Sequence, residues 1–80
     1  MPSKSAVVGS AVGLHARPAA IIAEKASEVG TDVTIEGVDA SSSLMIMTLG
    51  ATHGQTVEVA GEDQAAVDAI AALVEQDLDA

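Results

Sequence analysis

The sequence predicts an α+β open-faced β-sandwich: a four-stranded antiparallel sheet with three helices on one face. Three observations carry that prediction. The apolar period switches between two and 3.6 along the chain in the order β-α-β-β-α-β-α. Eighty residues make one small domain, 1–80, with no linker, internal repeat or low-complexity tract. The chain also has no Phe, Tyr or Trp, so the core must come from Val, Ile, Leu, Met and Ala. Ala-rich helices can lie close to a sheet, which suits a thin two-layer domain.

The first strand is read at residues 4–9, with Ala6 and Val8 inward. A Gly-containing connection over 10–15 leads to a helix opened by Pro18. Ala19, Ile22, Ala23, Ala26 and Val29 share one face of it, opposite Glu24, Lys25 and Glu28. Gly30 is its stop, and Ile21 falls on the polar side. Residues 32–36 alternate, with Val33 and Ile35 inward, and Gly37 turns into a short strand near 38–41. Residues 43–49 read as a helix with Ile46 and Leu49 on one face and Leu44 and Met47 on the other. A two-layer domain can bury only one of these faces, so the second is a partner surface. The stretch QTVEVA is the fourth strand, with Val57 and Val59 inward. A last helix runs from an Asp63 N-cap to about Leu78, with a stripe of Ala66, Val67, Ile70, Leu73, Val74 and Leu78.

Composition narrows the function. Without cysteine there is neither a disulfide nor a thiol nucleophile. A net charge of −9, with three Lys and Arg against twelve Asp and Glu, opposes nucleic acid and anionic membrane surfaces. No apolar run reaches the roughly 20 residues of a membrane span, and no signal-peptide pattern opens the chain. The expectation is a cytoplasmic domain without membrane insertion, and a monomer is the simplest state.

The segment GLHARPAA (13–20) concentrates the chemistry. Proline is tolerated in the first turn of a helix, where its missing N–H had no intrahelical partner. Pro18 therefore places His15 and Arg17 at a helix N-terminus, where open N–H groups and the positive dipole end favour an anion. That environment disfavours protonation of an imidazole and keeps it nucleophilic. A histidine can carry a covalent intermediate. If the group is phosphoryl, the N–H groups and the Arg17 guanidinium are placed to hold its oxygens. On chemistry alone, however, a lone histidine before a helix is more often a capping or surface residue.

GLHARPA closely resembles the active-site motif of the HPr phosphocarriers of the phosphoenolpyruvate-dependent sugar phosphotransferase system. Element order, length, the SSSLMIMTLG segment and the acid-capped last helix extend the resemblance over the whole chain. It implies that His15 is phosphorylated at Nδ1 by phospho-enzyme I and donates to enzyme IIA proteins for sugar uptake. Arg17 would assist the phosphoryl group, with Pro18 and Ala16 as structural members of the site. No cofactor is implied beyond phosphoenolpyruvate as the upstream donor. The resemblance also implies strand order 1-4-2-3 and makes Ile21, Leu44 and Met47 the partner-binding residues.

Many relatives carry a regulatory serine, acted on by a serine kinase, just before the middle helix. Counting back from Gly50 without a gap gives Ser42, although Ser43 follows it where the pattern wants an aliphatic residue. A one-residue deletion would instead give Ser43, but would rotate Ile46 and Leu49 off the core face, so Ser42 is preferred. Its alternative role is a plain N-cap. The lysines that often surround the histidine are reduced here to Arg17 and Lys25, which implies docking that leans on apolar contacts. His53, between glycines in a turn, reads as an exposed loop residue, and two histidines without a placed carboxylate give too few ligands for a metal. The rival functions are a carrier in another relay, nitrogen-related or of a dihydroxyacetone kinase, and a regulatory binding module that transfers nothing. A self-sufficient enzyme lacks a second catalytic group.

Overall fold

The computed structural model describes residues 2–78. Its elements are β1 (Ser3–Val7), α1 (Ala16–Glu28), β2 (Val33–Ile35), β3 (Val38–Asp39), α2 (Ser43–Thr48), β4 (Thr56–Gly61) and α3 (Gln64–Glu75). They form the open-faced sandwich, and the sheet order is β1-β4-β2-β3 with every pair antiparallel. The register sets Ala6 opposite Val57 and Ile35 opposite Val59, so the inward positions of neighbouring strands coincide. Ser5 and Glu58 are opposed on the solvent face, where both are exposed.

The core is aliphatic throughout. Ile22, Ile35, Ile46 and Ile70 are fully buried with Val8, Val57, Val59, Val67 and Val74, and alanines of α1 and α3 fill the spaces between them. α3 packs on β1, β4 and β2, and α1 packs on α2 and α3. Small side chains let these helices approach one another and the sheet, which replaces the bulk that aromatic residues would have provided.

Several boundaries differ from the sequence reading by a few residues, and four of them have a clear cause. α1 opens at Ala16, not Pro18, because the first turn accepts proline at its third position as readily as at its first. β1 ends at Val7. The amide of Val8 instead joins the turn before β4, donating to the Gln55 carbonyl at 2.9 Å, and Gly9 turns to α3, donating to Val74 at 3.0 Å. β3 is only two residues long, because the Asp39 carboxylate accepts from the Ser41 N–H at 2.9 Å and turns the chain toward α2. α3 ends at Glu75, not Leu78. Gln76 is extended, and Leu78 packs on the core from beyond the helix end.

Positive φ shapes the turns on either side of α2. Glu36 and Gly37 both have it, at 50° and 84°, which forms the two-residue turn that matches the twist of the β2–β3 hairpin. Gly54, at 85°, closes the turn holding His53, whose exposed side chain stands where the loop reading put it.

Candidate phosphoryl site

His15 is the N-cap residue of α1, with extended backbone and no side-chain hydrogen bond to the helix it heads. Its position is fixed from both sides. Leu14 before it is buried and donates its N–H to the Ala51 carbonyl at 3.0 Å, and the His15 carbonyl accepts from Ala19 N–H at 2.9 Å. The imidazole projects from this anchored backbone on the exposed surface.

Ala16 and Arg17 are the first two helical residues, both exposed, and Pro18 behind them is fully buried. An α-helix leaves its first N–H groups without an intrahelical acceptor. At this end they belong to Ala16 and Arg17, since Pro18 has none and Ala19 bonds to His15. No acidic residue lies in the first turn, so nothing of this helix occupies the place of an incoming anion. Pro18 is buried behind Ala16, and the exposed Arg17 stands at the second helical position.

Gly13 holds the loop against the rest of the molecule. Its φ is 81°, and a Cβ there would collide with the Ala51 carbonyl. Only glycine lets the two backbones approach so closely. Through this contact the His15 loop adjoins the segment that follows α2, and Gly50 in that segment donates back to the Met47 carbonyl at 3.2 Å.

Ser42 is the N-cap of α2, and its hydroxyl accepts from the Met45 N–H at 3.3 Å. The ungapped register is the one found, with Ile46 fully buried and Leu49 packed on the core. Ser43 is the first helical residue. Ser42 therefore stands at the end of α2 away from the His15 loop, about 9 Å along a six-residue helix at 1.5 Å per residue. Ile21, Leu44 and Met47 are exposed, Leu44 at 66%. Three further exposed apolar residues escaped the sequence reading: Val7 on β1, Met45 on α2 and Val12, 64% exposed in the loop before His15. An apolar residue inside a Gly-flanked connection was the signal for Val12.

The best-formed surface depressions lie along 26–41 and beside Lys25 and Asp63, and neither His15 nor Arg17 lines them. Among the described residues no three potential metal ligands cluster, and no helix is long and apolar enough to cross a membrane.

An exposed histidine at a helix start, outside the depressions described among these residues, fits a small carrier domain that meets its substrates on other proteins. Residues 2–76 match the family model described as the PTS HPr component phosphorylation site. The phosphocarrier protein HPr of Streptomyces coelicolor is 37% identical over 99% of this chain and 94% of its own. That of Mycoplasma genitalium is 31% identical over 91% and 89%. A crystal structure of HPr from Thermoanaerobacter tengcongensis superposes with a TM-score of 0.87 at 30% identity, covering 100% of this chain and 98% of that one. The chain belongs to the HPr family, and it is a phosphocarrier of the phosphotransferase system.

Proposed function

We propose that the chain accepts a phosphoryl group from phospho-enzyme I on Nδ1 of His15 and donates it to enzyme IIA proteins. The observation that carries this is the helix start itself: an exposed histidine at the N-cap of α1 beside the open N–H groups of Ala16 and Arg17. In the transfer, the Nδ1 lone pair attacks phosphorus while the ring proton stays on Nε2. The Nδ1–P bond forms as the donor's bond to phosphorus breaks, and that electron pair leaves with the donor. Transfer to the acceptor reverses these roles. The Arg17 guanidinium and the helix N–H groups balance the charge on the phosphoryl oxygens, and little other chemistry is required of the protein.

Docking falls to Ile21, Leu44 and Met47, joined by Val12 and Met45. Phosphorylation of Ser42 by a serine kinase is a second input: it would place about two negative charges within two residues of Leu44 and weaken docking there.

Intact mass spectrometry after incubation with phosphoenolpyruvate, magnesium and a trace of enzyme I tests the main reading. One acid-labile phosphate-sized addition, absent in His15→Ala, is expected. No addition with a competent enzyme I would overturn the assigned donor, and an addition persisting in His15→Ala would overturn the assigned residue.

A further inference from the structure

The loop that presents His15, residues 8–14, is tied at both ends. At its start it meets the end of α3. Gly9 donates its N–H to Val74 at 3.0 Å, and a Cβ at Gly9 would collide with the Glu75 carbonyl, so the two backbones touch. The Ser10 hydroxyl donates to the Gln76 carbonyl at 3.4 Å and accepts from the Leu78 N–H at 3.2 Å. At the other end, Gly13 donates its N–H to the Ser10 carbonyl at 2.9 Å, one residue before the Leu14 amide reaches Ala51.

Ser10 belongs to both sets of bonds. Its side chain holds the C-terminal end of α3, and its carbonyl holds the amide two residues ahead of His15. It is 0% exposed, and it is the one buried polar side chain among the described residues. A buried hydroxyl is tolerated where its donor and acceptor are both used, as here.

We propose that Ser10 is a positioning residue for phosphoryl transfer at His15, fixing the loop against the end of α3. This rests on the reading of His15 as the phosphoryl acceptor. Transfer needs Nδ1 close to phosphorus and in line with the breaking bond, and misplacement by 1 Å is worth up to about 100-fold in rate. Of the docking residues only Val12 lies in this loop; Ile21, Leu44, Met45 and Met47 lie on α1 and α2. Loosening the loop therefore lowers the rate within the complex far more than it weakens formation of the complex.

The test is phosphoenolpyruvate-dependent phosphorylation by enzyme I with this chain as the varied substrate. Ser10→Ala is expected to lower kcat about tenfold with KM within about twofold, and Ser10→Thr, which keeps the hydroxyl, to recover most of the loss. Leu78→Pro removes the amide donor from the other side and lowers kcat similarly, whereas Leu78→Ala, which keeps the amide, does not. The Ser10→Ala, Leu78→Pro double variant should be no slower than the worse single one, since both break the same bond. A kcat within twofold of wild type in Ser10→Ala and Leu78→Pro, with only the melting temperature lowered, overturns the proposal. If Ser10→Ala does not fold, Leu78→Pro decides alone. If enzyme I does not phosphorylate the wild type, the carrier reading with that donor fails separately. The 15N shifts of the His15 ring at fixed pH then decide: a change in Leu78→Pro, absent in Leu78→Ala, supports the coupling, and unchanged shifts overturn it.

Discussion

The beginnings of α1 and α3 differ in one respect that separates stability from function. At α3, the Asp63 carboxylate accepts the Ala65 N–H at 3.0 Å, so the helix closes its own end with an anion. At α1 the equivalent position is His15, and no side chain of that turn closes the end. A helix end is ordinarily stabilised by about 1 kcal/mol through its N-cap. On the proposed reading, the phosphoryl site is a helix start that His15 does not cap through its side chain, and its N–H groups and dipole serve a group brought by another protein. α2, capped by Ser42, sides with α3.

The strongest way to break the comparison is to give α1 the cap that α3 has. His15→Asp is expected to raise stability by about 1 kcal/mol, through the cap bond and the favourable dipole. It should abolish phosphorylation altogether; denaturant melts and intact mass together read both effects. Arg17→Ala comes next. Losing one group that holds the phosphoryl oxygens should slow transfer from phospho-enzyme I by about 100-fold, followed by rapid quench, with little change in the melt. The mirror experiment removes the caps that exist. Asp63→Ala or Ser42→Ala should lower stability by about 1 kcal/mol each while phosphorylation of His15 proceeds at the wild-type rate. A large loss of transfer in Asp63→Ala would mean that the two helix starts are not independent.

Much of this division was legible in the sequence. Pro18 announced the helix start, Asp63 announced a cap, and the alternation of DVTIE and TVEVA fixed which strand residues face inward. These signals are local, since each depends on residues within one turn or one strand. What escaped was non-local. The partners of Ser10 lie 66 and 68 residues away, so nothing near it in the chain distinguishes it from an ordinary loop serine. Leu78 continued the apolar period of α3, and periodicity alone could not reveal that the helix stops at Glu75 while Leu78 reaches the core by another path. The order of the strands likewise came from the family resemblance, because alternation gives faces but not neighbours.

Docking gives a smaller effect. Arg17 is the cation beside His15, since Lys25 lies in the last turn of α1, about 15 Å along the helix, while Ile21, Leu44, Met45, Met47 and Val12 offer exposed apolar area. The rate of association with enzyme I should therefore change by less than about twofold between 50 and 300 mM salt, measured by stopped flow. A steep fall would show that charge steers the encounter despite the acidic surface.

The smallest expected effect concerns the turn that delivers Ser42 to its capping position. The Ser41 hydroxyl donates to the Asp39 carboxylate at 2.7 Å and the Ser41 N–H does so at 2.9 Å. The hydroxyl first, and then the amide, hold the Asp39 carboxyl below its ordinary value. Because the folded value is the lower one, this carboxylate contributes stability above the unfolded value, and the contribution is lost as pH falls through the folded one. Asp39→Asn keeps an acceptor for Ser41 but removes the charge. Its melting temperature should lie slightly below wild type near neutral pH, with the gap closing as pH falls through about 4 and below. His15 has no part in that turn, so phosphorylation of the variant near neutral pH should match wild type. A gap that widened on acidification would mean that the Asp39 charge opposes the fold, and the start of α2 would then be set by Ser42 without help from the turn before it.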